Sequence, residues 1–191
     1  MKRQQLLLLI LAFGVFSILN TEMGIIGILP MAAEMYQVDI VQAGMLVSLF
    51  ALGVAIAGPT MPLLFSHFNR KHVMLLVLGV FTLCNALAVV ASDFQLLLVL
   101  RVVPAFFHPV YCALAFSVAA ASVAPEDAPR AVARINMGVA AGMVVGVPIS
   151  NVLAATFDFS VAMAFFASVT GLMFLMTMAF VPDLPVTQPK R

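Results

Sequence analysis

The stretch LLLLILAFGVFSILNTEMGIIGILP, residues 6–30, decides what kind of protein this is. It is apolar almost throughout and contains one ionisable side chain, Glu22. It is longer than the ~20 helical residues needed to cross ~30 Å of hydrocarbon. Lys2 and Arg3 precede it, as at the start of a signal peptide, but the run continues to Pro30 with no small-residue cleavage site and further apolar runs follow. It is therefore read as a first membrane span rather than a leader.

Five more apolar runs lie at 42–64, 73–91, 95–120, 132–155 and 160–181, separated by short polar breaks. They are continuous rather than alternating with period two, so helices and not a β-barrel must satisfy the backbone in lipid. The expected fold is an all-α membrane protein, a bundle of six transmembrane helices over residues 1–181 with a proline-rich tail at 182–191. With 64% hydrophobic and 9% charged residues, and a mean hydropathy of +1.16, the chain has too little polar surface to coat a soluble globule. A net charge of +1 with no basic patch gives no reason to expect a nucleic-acid partner. Cys84 and Cys112 fall in different apolar runs, away from loops, and are read as free thiols.

Charge sets the orientation. In a six-span topology Lys2, Arg3, Arg70, Lys71, Arg130, Arg134, Lys190 and Arg191 share one side, eight of the nine basic residues. The opposite loops carry Glu34, Asp39, Asp93 and Asp158 and no Lys or Arg. Cytoplasmic loops retain positive charge, so both termini are expected in the cytoplasm.

Arg101 and Glu22 are the ionisable residues left deep inside apolar runs, where an unpaired charge costs several kcal/mol. At ~1.5 Å per residue from the outer ends of their spans they lie at comparable depth. They are expected to face one interior cavity and to bias each other's protonation. A structural ion pair and a proton relay both fit that arrangement. His108 follows Arg101 by about two helical turns on the same face. A histidine at mid-membrane either exchanges protons or contacts substrate, or else is a buried ring satisfied by one hydrogen bond. Pro104 and Pro109 flank it and each removes a helix hydrogen bond. Glu22, Arg101 and His108 are therefore the candidate coupling or substrate-cavity residues.

Gly138, Gly142 and Gly146, spaced by four and followed by Pro148, form a stripe for close helix packing and a place for a helix to bend. Gly44, Gly53 and Gly58-Pro59 in the second run offer a possible counterpart, as expected if spans one to three and four to six are inverted copies. His67 and His72 lack the spacing of a zinc site, and no phosphate loop or serine–histidine constellation is present. Neither enzymatic activity, a metal nor a cofactor is expected.

Taken together, these stretches resemble the amino-terminal half of a major facilitator superfamily transporter, in the branch of drug, arabinose and sugar efflux permeases. TEMGIIGILP from Thr21 to Pro30 is similar to that branch's first-span pattern, and RVVPAFFHP from Arg101 to Pro109 to its buried arginine motif. GMVVGVP from Gly142 to Pro148 resembles the fifth-helix antiporter motif, and VPDLP resembles the exit toward a central loop. The resemblance implies proton-driven efflux of a sugar or drug-like molecule by alternating access, with Arg70 and Lys71 in a cytoplasmic gate loop. Where the family pattern has glycine, aspartate, arginine and glycine before that basic pair, this chain has Pro62, Ser66, His67 and Asn69. The partners implied are lipid, protons, a small-molecule substrate, and a second six-helix half or a homodimer to cover the cavity face. The alternative is a truncated, non-transporting membrane protein that associates with another subunit.

Overall fold

The computed structural model describes residues 2–183 and is helical throughout its ordered elements. Among the described residues six helices are long and apolar enough to cross a membrane: α1 (Arg3–Gly27), α2 (Ile40–Ala57), α3 (Arg70–Val89), α4 (Phe94–Ala121), α5 (Pro125–Thr156) and α6 (Phe159–Phe180). Residues 184–191, most of the expected tail, lie outside the described residues.

Prolines explain where the helices depart from the apolar runs. α1 stops at Gly27, short of Pro30, and a separate short helix, Leu29–Met35, takes the proline into its first turn, where a missing N–H costs nothing. α2 ends at Ala57, because Pro59 cannot donate to the ladder, and a further turn, Met61–Leu64, leads into the next loop. α5 begins at Pro125, earlier than residue 132, with Arg130 and Arg134 on its exposed surface. Within α5 the segment Gly142–Gly146 is a π-helical turn just ahead of Pro148. Pro148 has no N–H for the Val144 carbonyl, and a wider turn accommodates the gap.

The acids at one end of the bundle have structural work. Asp39, Asp93 and Asp158 each accept a backbone N–H at a helix start, from Gln42, Leu96 and Val161 at 2.7, 2.8 and 2.9 Å. Carboxylates suit this position because they also meet the positive end of the helix dipole.

Helix contacts follow an internal symmetry. α1 packs on α5 as α4 packs on α2; α1 meets α6 as α4 meets α3; and α3 and α6 pack on each other. Exchanging spans one to three for four to six leaves this pattern unchanged. Equivalent helices run in opposite directions, so the two three-helix repeats are inverted.

Two apolar clusters fill the bundle. One, around Leu11, Val15, Phe81, Tyr111 and Ile135, occupies the end that carries Arg3, Arg70 and Arg130. The other, around Ile25, Leu46, Leu97 and Phe166, occupies the acidic end. Buried polar residues lie where the clusters meet: Asn20 and Thr21 on α1, Asn85 on α3, Arg101 on α4, Ser150 on α5 and Thr170 on α6. The fold thus carries a polar layer at mid-depth.

Candidate functional site

α1 and α4 cross at this layer. Arg101 is 2% exposed, and its Nη1 donates to the Thr21 carbonyl at 2.9 Å while Nη2 reaches the Glu22 carbonyl at 3.5 Å. Asn85 Nδ2 donates to Thr21 Oγ1 at 3.2 Å, tying α3 to the same turn. The guanidinium carbon stands 4.9 Å from the centroid of the Phe50 ring of α2, a separation at which the ring face attracts a cation. Arg101 is thus held by backbone oxygens and an aromatic face.

The Glu22 carboxylate takes its close partner from His108. Its Oε2 lies 2.9 Å from His108 Nε2, with the two side chains 17% and 12% exposed respectively. Helix side chains tilt toward the amino terminus of their own helix. In antiparallel α1 and α4, Glu22 therefore leans toward the basic end and His108 toward the acidic end, so the two converge. Arg101 sits level with the backbone of Thr21 and Glu22, and among the described residues it forms no ion pair with the carboxylate. Depth counted along each axis makes Arg101 the expected partner of that carboxylate; the tilt makes it His108.

Phe50 also packs edge-on against His108, with centroids 6.0 Å apart, so one ring touches both the histidine and the arginine. Cys112 Sγ lies 3.9 Å from His108 Nε2. His108 Nδ1 and Arg101 Nε have no hydrogen-bond partner among the described residues. Chemically, an oxygen and a nitrogen at 2.9 Å can share one proton, beside a cation that burial and hydrogen bonds fix in place.

The glycine stripe of α5 lies along α1. A Cβ at Gly138 would run into the Ala12 carbonyl, one at Gly142 would meet Leu19 and Phe16, and one at Gly146 would strike Asn20. The contact is reciprocal: Gly24 of α1 faces Ser150, and Gly27 faces the Asn151 side chain. Contacts ascend together on both helices, so α1 and α5 run parallel and close. Asn20 and Asn151 also belong to this seam, and no periodicity in the sequence marks them.

Arg70 and Lys71 occupy the first turn of α3, where the Asn69 side chain accepts the Lys71 N–H at 3.0 Å. They are half-buried and distant in sequence from the α1–α4 crossing. Among the described residues no group of three or more His, Cys, Asp or Glu is placed to hold a metal ion.

The chain is similar to several membrane transport proteins. It is 37% identical to the inner membrane transport protein YdhP of Escherichia coli strain K12, over 78% of this chain and 38% of that protein. It is 24% identical to a probable sugar efflux transporter of Helicobacter acinonychis, over 92% of this chain and 45% of that protein. Its fold matches the inward-facing crystal structure of a bacterial homologue of the human lysosomal transporter Spinster with a TM-score of 0.78. That match has 18% identity and covers 99% of this chain and 46% of the other. The chain thus spans less than half the length of these relatives. The sequence also matches the model of the Major Facilitator Superfamily over residues 11–191, and the chain belongs to that family of membrane transporters.

Proposed function

We propose that this chain is one six-helix half of a proton-coupled exporter of a small sugar or drug-like molecule, working by alternating access in a bacterial inner membrane. The observation that carries the reading is the 2.9 Å contact between Glu22 and His108 on two different spans. Intramembrane acid–histidine pairs of this kind serve proton relays, and a histidine changes charge near neutral pH. Arg101 adds a fixed positive charge at the same depth, so movement of α1 against α4 changes the field at the pair.

The relative named as a probable sugar efflux transporter supports the outward direction. Transport paths in this fold run between two six-helix halves, and the relatives are more than twice as long as the part this chain matches. A second half therefore completes the cavity, whether in the same polypeptide, in another chain or in a second copy. The distribution of basic residues supports cytoplasmic termini, and Arg70 and Lys71 then lie at the cytoplasmic gate. Gly138, Gly142, Gly146 and Pro148 let α5 slide or bend along α1 during the switch.

The test is substrate-dependent proton flux in liposomes containing the assembled transporter, with sugars and drug-like cations supplied as candidates. Flux that disappears in Glu22→Gln while exchange of substrate persists supports coupling at this pair. Equal coupled flux in Glu22→Gln overturns it.

A further inference from the structure

α1 and α5 touch at Ala12 and Gly138 and bound between them a fork lined from Phe16 and Ala141 to Gln5 and Arg134. The fork holds a groove of about 710 Å³, lined chiefly by apolar side chains including Leu9, Phe13, Phe16 and Met137, with Gln5 and Arg134 at its mouth. A second cavity of about 460 Å³ shares Gln5, Leu8 and Arg134 with it and adds Gln4, Asp127 and Arg130. An apolar slot therefore opens into a polar pocket that holds two arginines and one aspartate.

The groove faces away from the proposed transport site. Phe13 and Glu22 are nine residues apart, about two and a half helical turns, which puts them on opposite sides of α1. Phe13 is 50% exposed and Met137 69% exposed, so none of the described residues covers this side. Gln4 donates to the Ser122 carbonyl and fixes the start of α1 to the turn between α4 and α5, which forms the wall of the polar pocket. Arg130 engages Asp127 at 3.3 Å, and among the described residues Arg134, at the boundary between the two cavities, forms no ion pair.

We propose that this fork binds an anionic glycerophospholipid, with its phosphate over Arg134 and Arg130 and one acyl chain in the slot between α1 and α5. Basic pockets between spans at the membrane surface recognise anionic headgroups, and charge complementarity selects among lipids here. A choline headgroup brings its own cation to Arg134, whereas a glycerol headgroup does not. The proposal rests on the membrane-embedded fold and is independent of proton coupling at Glu22 and His108.

The chain contains no tryptophan, so Phe13→Trp installs a reporter inside the slot. Its fluorescence is to be quenched by brominated phosphatidylglycerol, or by brominated phosphatidylcholine, in vesicles of both lipids. Phosphatidylglycerol should be favoured about fivefold over its bulk fraction. The preference should vanish when Arg134→Gln is added and persist with Arg134→Lys. Leu83→Trp, on the exposed surface of α3, should show no preference. Equal quenching by the two lipids at Phe13→Trp, or a preference that survives Arg134→Gln, would overturn the proposal. So would protection of Phe13→Trp from both lipids while Leu83→Trp is quenched, because protein would then fill the fork.

Discussion

Glu22 Oε2 and His108 Nε2 stand 2.9 Å apart across the crossing of α1 and α4, while Arg101 binds the α1 backbone at the Thr21 and Glu22 carbonyls. In the proposed account the acid and the histidine share a proton across this contact, while the arginine holds the helix that carries the acid. Replacing either member of the pair should have the same effect. His108→Gln, like Glu22→Gln, is expected to lower coupled flux by at least ~10²-fold, the low end of what a positioned proton-transfer group contributes. Folding should be retained, as judged by thermal melting in detergent. A His108→Gln protein with normal coupling would assign the histidine to packing.

Arg101 makes a different prediction. Charge-assisted hydrogen bonds contribute about 1.5–3 kcal/mol, and a lysine ammonium cannot reproduce the guanidinium fork. Arg101→Lys should therefore lower the melting temperature, and Arg101→Ala should lower it further. Phe50→Leu, which removes the ring under the guanidinium, should cost less than either.

How much of this was legible in the sequence varies by residue. Spans are set by composition, so six apolar runs separated by polar breaks point to six helices, and the prolines at 30, 59 and 148 mark where those helices stop or widen. Buried charges are conspicuous in apolar runs, and Glu22, Arg101 and His108 stood out for that reason. Pairing is another matter, because it depends on the tilt of each side chain along two antiparallel axes, which residue counting omits. The α1–α5 seam was half visible: the α5 glycines are periodic, whereas Gly24, Gly27, Asn20 and Asn151 gain meaning only once the two helices are set side by side.

That seam predicts opposite outcomes for two glycine substitutions. Gly138→Ala puts a methyl group against the Ala12 carbonyl, a backbone atom that cannot swing away, and should destabilise by about 1–3 kcal/mol. At Gly79 an added Cβ meets Phe174 at 3.5 Å, ordinary contact with a side chain. Gly79→Ala should be neutral or slightly stabilising. Melting temperatures of the two variants side by side check the contrast.

The acidic end offers a stability test remote from the proposed site. Tyr36 Oη donates to the Ala91 carbonyl at 3.2 Å, and its ring packs edge-on against Phe159 with centroids 6.0 Å apart. Tyr36→Phe should cost about 1 kcal/mol, the net value of one hydrogen bond, and Tyr36→Ala more, through the lost aromatic contacts. Neither change should alter coupling.

The measurement that bears most directly on the central claim is infrared titration of the carboxyl stretch in the lipid-embedded protein. We predict a protonated-carboxyl band that rises and falls reversibly with pH and depends on the histidine partner. It should be absent in Glu22→Gln and displaced in His108→Gln. A band unaffected by His108→Gln, or no Glu22-dependent band at any pH at which the protein stays folded, would contradict a proton shared between these two residues.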